Sequence, residues 1–98
     1  MSKQNRQTLE NIRKDLQIAL KKNQMNEYLE DVYNVDVTCS LSKEYRGASI
    51  CIAYGGPNIY IDTMNHRLEL YWGDDTEYLW LEDDIINEVN DLIESWFI

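Results

Sequence analysis

Between Tyr54 and Leu81 the apolar residues recur at every second position: Ile59 and Ile61, then Leu68, Leu70 and Trp72, then Leu79 and Leu81. Alternation with period two places successive side chains on opposite faces of a β-strand, whereas a helical stripe would repeat every three or four residues. The stretch therefore reads as three consecutive strands with their turns. A hairpin tip at Asn65-His66 sets Ile61 opposite Leu70 and Ile59 opposite Trp72 on one face. A tip one residue longer would set Ile59 against Tyr71 and scramble the faces, so the even-length loop is preferred. A second turn at Asp74-Asp75 sets Leu79 opposite Leu70 and Leu81 opposite Leu68.

The same pairing fixes the other face of the ribbon. Tyr60, Tyr71 and Tyr78 form one cross-strand row, and Asp62, Glu69 and Trp80 form the next. Aromatic pairs stabilise a sheet, but like charges directly opposite each other oppose it. Tyrosine alone is a good strand residue that tolerates exposure. The carboxylate pair, with no structural benefit of its own, turns the reading of this face towards docking.

The rest of the chain supplies a cover and two more strands. Leu9, Ile12, Leu16, Ala19 and Leu20 lie on one face of a helix over 6–22, with Arg6, Glu10, Arg13, Lys14, Lys21 and Lys22 mostly on the other. A short helix follows from Met25 to Tyr33, burying Met25, Leu29 and Val32 and stopping at Asn34. Val35, Val37, Cys39 and Leu41 alternate inward along a first strand. Ala48 to Tyr54 is the second, with Ile50 and Ile52 inward. Its outward residues Ser49, Cys51 and Ala53 are small, which leaves open space beside Tyr60. Gly55-Gly56-Pro57 turns the chain into the third strand, the glycines permitting positive φ. Glu82 to Phe97 is a final helix that buries Ile85, Ile86, Val89, Leu92, Ile93 and Trp96, with Asp84, Glu88 and Asp91 in an outward stripe. Side chains so spaced lie on the order of 5–6 Å apart, similar to the phosphates of a nucleic acid strand. The expected fold is α+β: two N-terminal helices, a five-stranded antiparallel meander and a C-terminal amphipathic helix, with helices packed on one sheet face. One domain accounts for residues 1–98.

Charge divides the chain. Residues 1–61 hold eight Lys/Arg and seven Asp/Glu, whereas residues 62–98 hold Arg67 alone against eleven acids. The second half would repel phosphate, which argues against direct nucleic-acid binding and for a basic protein partner. A content of 44% hydrophobic and 11% aromatic residues belongs to a folded chain. No apolar run approaches the roughly 18 residues of a membrane span, and the N-terminal residues lack the apolar core of a secretory signal. Cys39 and Cys51, both within expected strands, read as two buried reduced thiols, and the expected compartment is the cytoplasm.

Chemistry-bearing patterns are weak. The Gly55-Gly56-Pro57 turn lacks the lysine and following helix of a phosphate loop. His66 is the only histidine and has no nucleophile beside it. Asp74, Asp75 and Glu77, like Glu82, Asp83 and Asp84, lack the spacing and central glycine of a calcium loop. No cofactor, metal site or catalytic residue is expected.

The run from Tyr54 to Phe97, with YGGPNIYID, LELYWGDD and the acidic last helix, resembles small acidic proteins of phages and mobile elements of the anti-CRISPR and antirestriction type. The likeness is one of type. It implies a non-catalytic inhibitor, acting in the cytoplasm of a bacterial host, that occupies the nucleic-acid-binding surface of a nuclease or CRISPR effector. The contact residues expected on that reading are Tyr60, Asp62, Glu69, Tyr71, Asp74, Asp75, Glu77, Tyr78, Trp80, Asp84, Glu88 and Asp91. An immunity protein or antitoxin against a basic toxin nuclease would use the same physics. A self-associating structural protein, dimerising through the tyrosine face, is the third reading.

Overall fold

A computed structural model describes residues 2–97. In chain order the elements are α1 (Ser2–Lys21), α2 (Met25–Glu30), β1 (Asn34–Cys39), β2 (Tyr45–Ala53), β3 (Asn58–Asp62), β4 (Arg67–Trp72), β5 (Asp75–Trp80) and α3 (Asp83–Phe97). The five strands form one antiparallel sheet in the order β1-β2-β3-β4-β5. This is the α+β meander that the alternation implies.

All three helices cover one face of the sheet. Leu9, Leu16 and Ala19 of α1, Met25 and Leu29 of α2, and Ile85, Ile86, Val89 and Ile93 of α3 form one core cluster with Ala48, Ile50, Ile59, Ile61, Leu68, Leu70 and Leu79. Burial of these side chains is the dominant favourable term for such a fold. α1 begins four residues before the expected start at residue 6 and ends where Asn23 turns left-handed at φ 57. Gln24 N–H reaches Ala19 O at 2.7 Å and Asn23 N–H reaches Leu20 O at 3.2 Å, so the last carbonyls are satisfied by a Schellman closure. α2 is three residues shorter than its pattern, and Asn34 opens β1 where a helix stop was expected.

The facing of the three-strand ribbon is as expected, but its register is shifted by two. Ile59 pairs with Leu70 and Ile61 with Leu68, in place of Trp72 and Leu70. The reason is local side-chain chemistry. The Asp62 carboxylate accepts the Met64 and Asn65 N–H groups at 3.1 and 3.2 Å, and Thr63 Oγ1 accepts the Ala48 N–H at 2.9 Å. β3 therefore ends at Asp62, and the connection is a four-residue loop, Thr63 to His66, where a two-residue tip was expected. Both loops are even, so both keep the same residues inward. The next turn centres on Gly73-Asp74, because Gly73 supplies the positive φ, 58°, at the first central position. Leu79 consequently pairs with Leu68, and Leu81 lies just past the strand, buried, with its N–H on His66 O at 2.9 Å.

Four residues expected inside lie outside. Trp72, the last residue of β4, keeps the inward parity but is 50% exposed. Leu41 is fully exposed, since β1 ends at Cys39 after a register irregularity at Thr38. Cys39 is exposed, and only Cys51 is a buried thiol. Trp96 is exposed as well, in the last turn of α3. No helix among the described residues is long and apolar enough to cross a membrane.

Candidate functional site

The face of the sheet opposite the helices has no cover, and cross-strand pairing sets its content. One row runs Asn34, Cys51, Tyr60, Glu69, Tyr78, and the next runs Asp36, Ser49, Asp62, Arg67, Trp80. Tyr71 stands between Asn58 and Thr76 in a third row. Two expected rows are thereby corrected. Tyr71 meets Tyr60 diagonally, edge to face at a centroid distance of 5.9 Å. Asp62 lies opposite Arg67, not opposite Glu69.

This correction supplies the structural role that the carboxylates lacked. Arg67 Nε donates to Glu69 Oε2 at 2.9 Å, and its guanidinium carbon sits 3.9 Å from the Tyr78 ring centroid. The Tyr71 hydroxyl donates to Glu69 Oε1 at 3.0 Å. Glu69, at 9% exposure, has both oxygens occupied, as a buried carboxylate requires. The hydrogen bond to Glu69 raises the Arg67 pKa, so the guanidinium holds its proton still more firmly. Burial, then the hydrogen bond to Glu69, pushes the Tyr71 hydroxyl well above its usual 10. Burial by itself would raise Asp62, but hydrogen bonds from the Asn65 side chain and from the Asn65 and Met64 amides hold it below its ordinary value. The centre of the face is thus a locked ionic and aromatic cluster.

Towards β5 the face is aromatic and open. Tyr78 is 43% and Trp80 61% exposed. His66, left-handed at φ 55, stacks on Trp80 at 5.6 Å, and its Nδ1 lies 3.1 Å from an Asp83 oxygen. The β5 edge itself is closed by α1. Arg6 Nη1 donates to Tyr78 O at 3.0 Å and Arg13 Nη1 to Trp80 O at 3.3 Å.

The twelve expected contact residues do not form one surface. Tyr60, Asp62, Glu69, Tyr71, Tyr78 and Trp80 share the open face. Asp74 is exposed at the hairpin tip. Asp75 and Glu77 have the inward parity of Leu79, and Glu77 pairs with Arg6 at 3.4 Å. Asp84, Glu88 and Asp91 lie on the outward side of α3, across the molecule from the open face. Asp84 and Asp91 are exposed and Glu88 half-buried, and Glu94 extends their row into the last turn. No group of three or more His, Cys, Asp or Glu side chains among the described residues is placed to hold a metal ion.

Sequence reasoning passed over four residues of the open face. Arg67 was visible as the lone cation of the second half, yet its place opposite Asp62 needed the register. Tyr33, Asp36 and Tyr54 border a depression of about 320 Å³ beside Tyr60, with Asn34 and Cys51. The small side chain of Cys51 was the signal for that space. No family model matches the chain, and no curated protein or solved structure matches it either.

Proposed function

We propose that the protein is a non-catalytic inhibitor of the anti-CRISPR or antirestriction type, which occupies the nucleic-acid-binding surface of a basic nuclease complex. The observation that carries this reading is the outward row of α3. Asp84, Glu88, Asp91 and Glu94 span about 15 Å at 1.5 Å per residue, one carboxylate per about 5 Å. One DNA strand carries a phosphate per about 3.4 Å, so the row approaches the charge density of a strand. No Lys or Arg occurs in α3. Asp84 suits the positive pole in the first turn, but beyond it the row opposes the helix that bears it. Asp84–Glu88, Glu88–Asp91 and Asp91–Glu94 are like-charged neighbours at spacings of three or four, each costing about 0.2–0.5 kcal/mol. Glu94 faces the negative pole of the dipole. An arrangement that weakens its own helix is accounted for by a partner that needs the charge.

The test is a DNA-cleavage assay on guide-loaded CRISPR effectors and restriction nucleases titrated with the protein. Inhibition of a susceptible enzyme should weaken as salt rises, since long-range attraction is screened over about 8 Å at physiological ionic strength. Replacing Asp84, Glu88 and Asp91 by lysine should abolish it, whereas Glu10→Lys and Glu27→Lys should leave it intact. Full inhibition by the triple variant, or inhibition that ignores salt, would refute the reading.

A further inference from the structure

The open face already holds one cation, and the way it does so indicates what its other end is built for. Arg67 is held by an aromatic ring on one side, Tyr78 at 3.9 Å, and by a carboxylate, Glu69 at 2.9 Å. The depression at the β1 end presents the same two groups. Its floor is Cys51, which pairs with Asn34 on one side and Tyr60 on the other. The thiol is low and buried, with its Sγ turned to Ala53 O at 3.4 Å, so the taller neighbours stand as walls.

Tyr60 supplies one wall from β3. Tyr54 supplies another, since β2 ends at Ala53, just after a register irregularity, and leaves Tyr54 at 71% exposure. Tyr33 supplies the third. Its N–H is tied to Cys51 O at 2.8 Å, yet its side chain is 68% exposed. Asp36 closes the site two residues along β1, on the same face as Asn34. Tyr60 lies close enough for Tyr54 and Asp36 to act on its hydroxyl: burial first, then Cys51 and these two neighbours, raise its pKa. The open depression has a volume of about 320 Å³, about ten molecules of water, room for the end of a long side chain.

Asp36 has no ion pair among the described residues, and no cationic side chain of this protein lines the depression. Three tyrosine rings and a carboxylate together suit a guanidinium or ammonium group, which aromatic rings attract within about 6 Å of their centroids. We propose that this depression is the receptor for one arginine or lysine side chain of a basic protein segment laid against the β1 end of the open face. The proposal rests on the reading above that the partner is basic, and it names where a single cation of that partner is captured.

The test needs no partner. The ¹⁵N-labelled protein is titrated with N-acetyl-arginine amide and with N-acetyl-citrulline amide, which keeps the shape and lacks the charge. Saturable shifts are expected at the amides of 33–36, 51–54 and 60 with the arginine compound, and none of comparable size with citrulline. Asp36→Asn, on an exposed strand edge where folding is not at risk, should weaken binding on the order of tenfold. Tyr54→Leu should weaken it as well, whereas Asp84→Lys should not. Shifts confined to α3, equal shifts with citrulline, or unchanged binding by Asp36→Asn would overturn the inference. The inhibitor reading is tested separately by the cleavage assay on the α3 variants, whose outcome does not depend on these titrations.

Discussion

Reversing one charge at the end of α3 should make the protein more stable. Glu94 lies in the last turn of α3, which has no basic residue there, and it is exposed. Glu94→Lys changes three interactions in the same direction. It removes a carboxylate from the negative pole and supplies a cation to it, each worth about 0.3–1 kcal/mol at low ionic strength. It also converts the Asp91–Glu94 repulsion into an attraction, a swing of about 0.4–1 kcal/mol. Because the site is exposed, the lower ends apply, and the sum is about 1 kcal/mol. With 98 residues and about 2.1 cal/mol/K per residue, the unfolding entropy is about 0.2 kcal/mol/K, so Tm should rise by about 5 °C.

Differential scanning calorimetry at low ionic strength measures this directly. In 1 M salt, where the Debye length falls to about 3 Å, most of the gain should vanish. A second readout comes from Tyr45. Burial raises its pKa first, hydrogen bonding with Thr63 lowers it, and Glu94 raises it, so the variant should titrate at lower pH. The inhibitor reading adds that the stabilised variant should inhibit less. A Tm that stays level or falls at low salt, or a gain that survives 1 M salt, would refute the claim that the acid row works against its helix.

Two further outcomes test the cluster around the β3–β4 loop. Thr63→Val preserves shape but leaves the Ala48 N–H without its 2.9 Å acceptor, at a cost of about 1–2 kcal/mol or about 5–10 °C in Tm; the Ala48 amide should lose hydrogen-exchange protection there and keep it in Thr63→Ser. Asp62 titrates below its ordinary 3.8 in the folded protein, so its contribution is fully present above that pH and is lost as pH falls through the lower folded value. In urea titrations across pH 2–6, the wild type minus Asp62→Asn difference should therefore shrink only below about pH 4, and a pH-independent difference would contradict the assignment.

The apolar alternation was enough to place five strands in order and to say which residues face the helices, because burial on one face is a strong constraint on parity. It could not choose between loops of two and four residues, since both preserve parity. That choice lies with Asp62 and Thr63, whose side chains bond the loop and the neighbouring strand. Gly73 settles the next turn for a different reason, its left-handed backbone. The departures at Leu41, Cys39, Trp72 and Trp96 share a cause: periodicity reports which face a residue takes but not where the covering element stops. The apparent repulsion of Asp62 and Glu69 disappears because a two-residue slip sets Asp62 opposite Arg67, which bonds Glu69. The open space beside Tyr60 was legible from Cys51, whereas Tyr33 and Tyr54 flank their strands and carry no periodic signal.

The two edges of the sheet differ in a way that bears on how a partner would approach. The Tyr78 and Trp80 carbonyls of β5 are occupied by Arg6 and Arg13 of α1, which lies over β4 and β5. A covered edge of this kind resists the addition of a further strand. β1 has no such guard, and the depression bounded by Tyr33, Asp36, Tyr54 and Tyr60 opens beside it. α3 packs over β2, on this same flank. A partner that grips the β1 edge would therefore have the acid-bearing helix on one side of it and the open sheet face on the other. The separation of the expected contact residues into two surfaces then ceases to be an objection to a single partner. On the proposed reading, the α3 row would set the long-range attraction and its salt dependence, while the depression would fix position by taking one cation. On that division of roles, the α3 reversals should act chiefly on the association rate and Asp36→Asn chiefly on the dissociation rate. Surface plasmon resonance with an inhibited nuclease would separate the two, and an Asp36→Asn effect confined to association would show that the carboxylate merely adds to the general field.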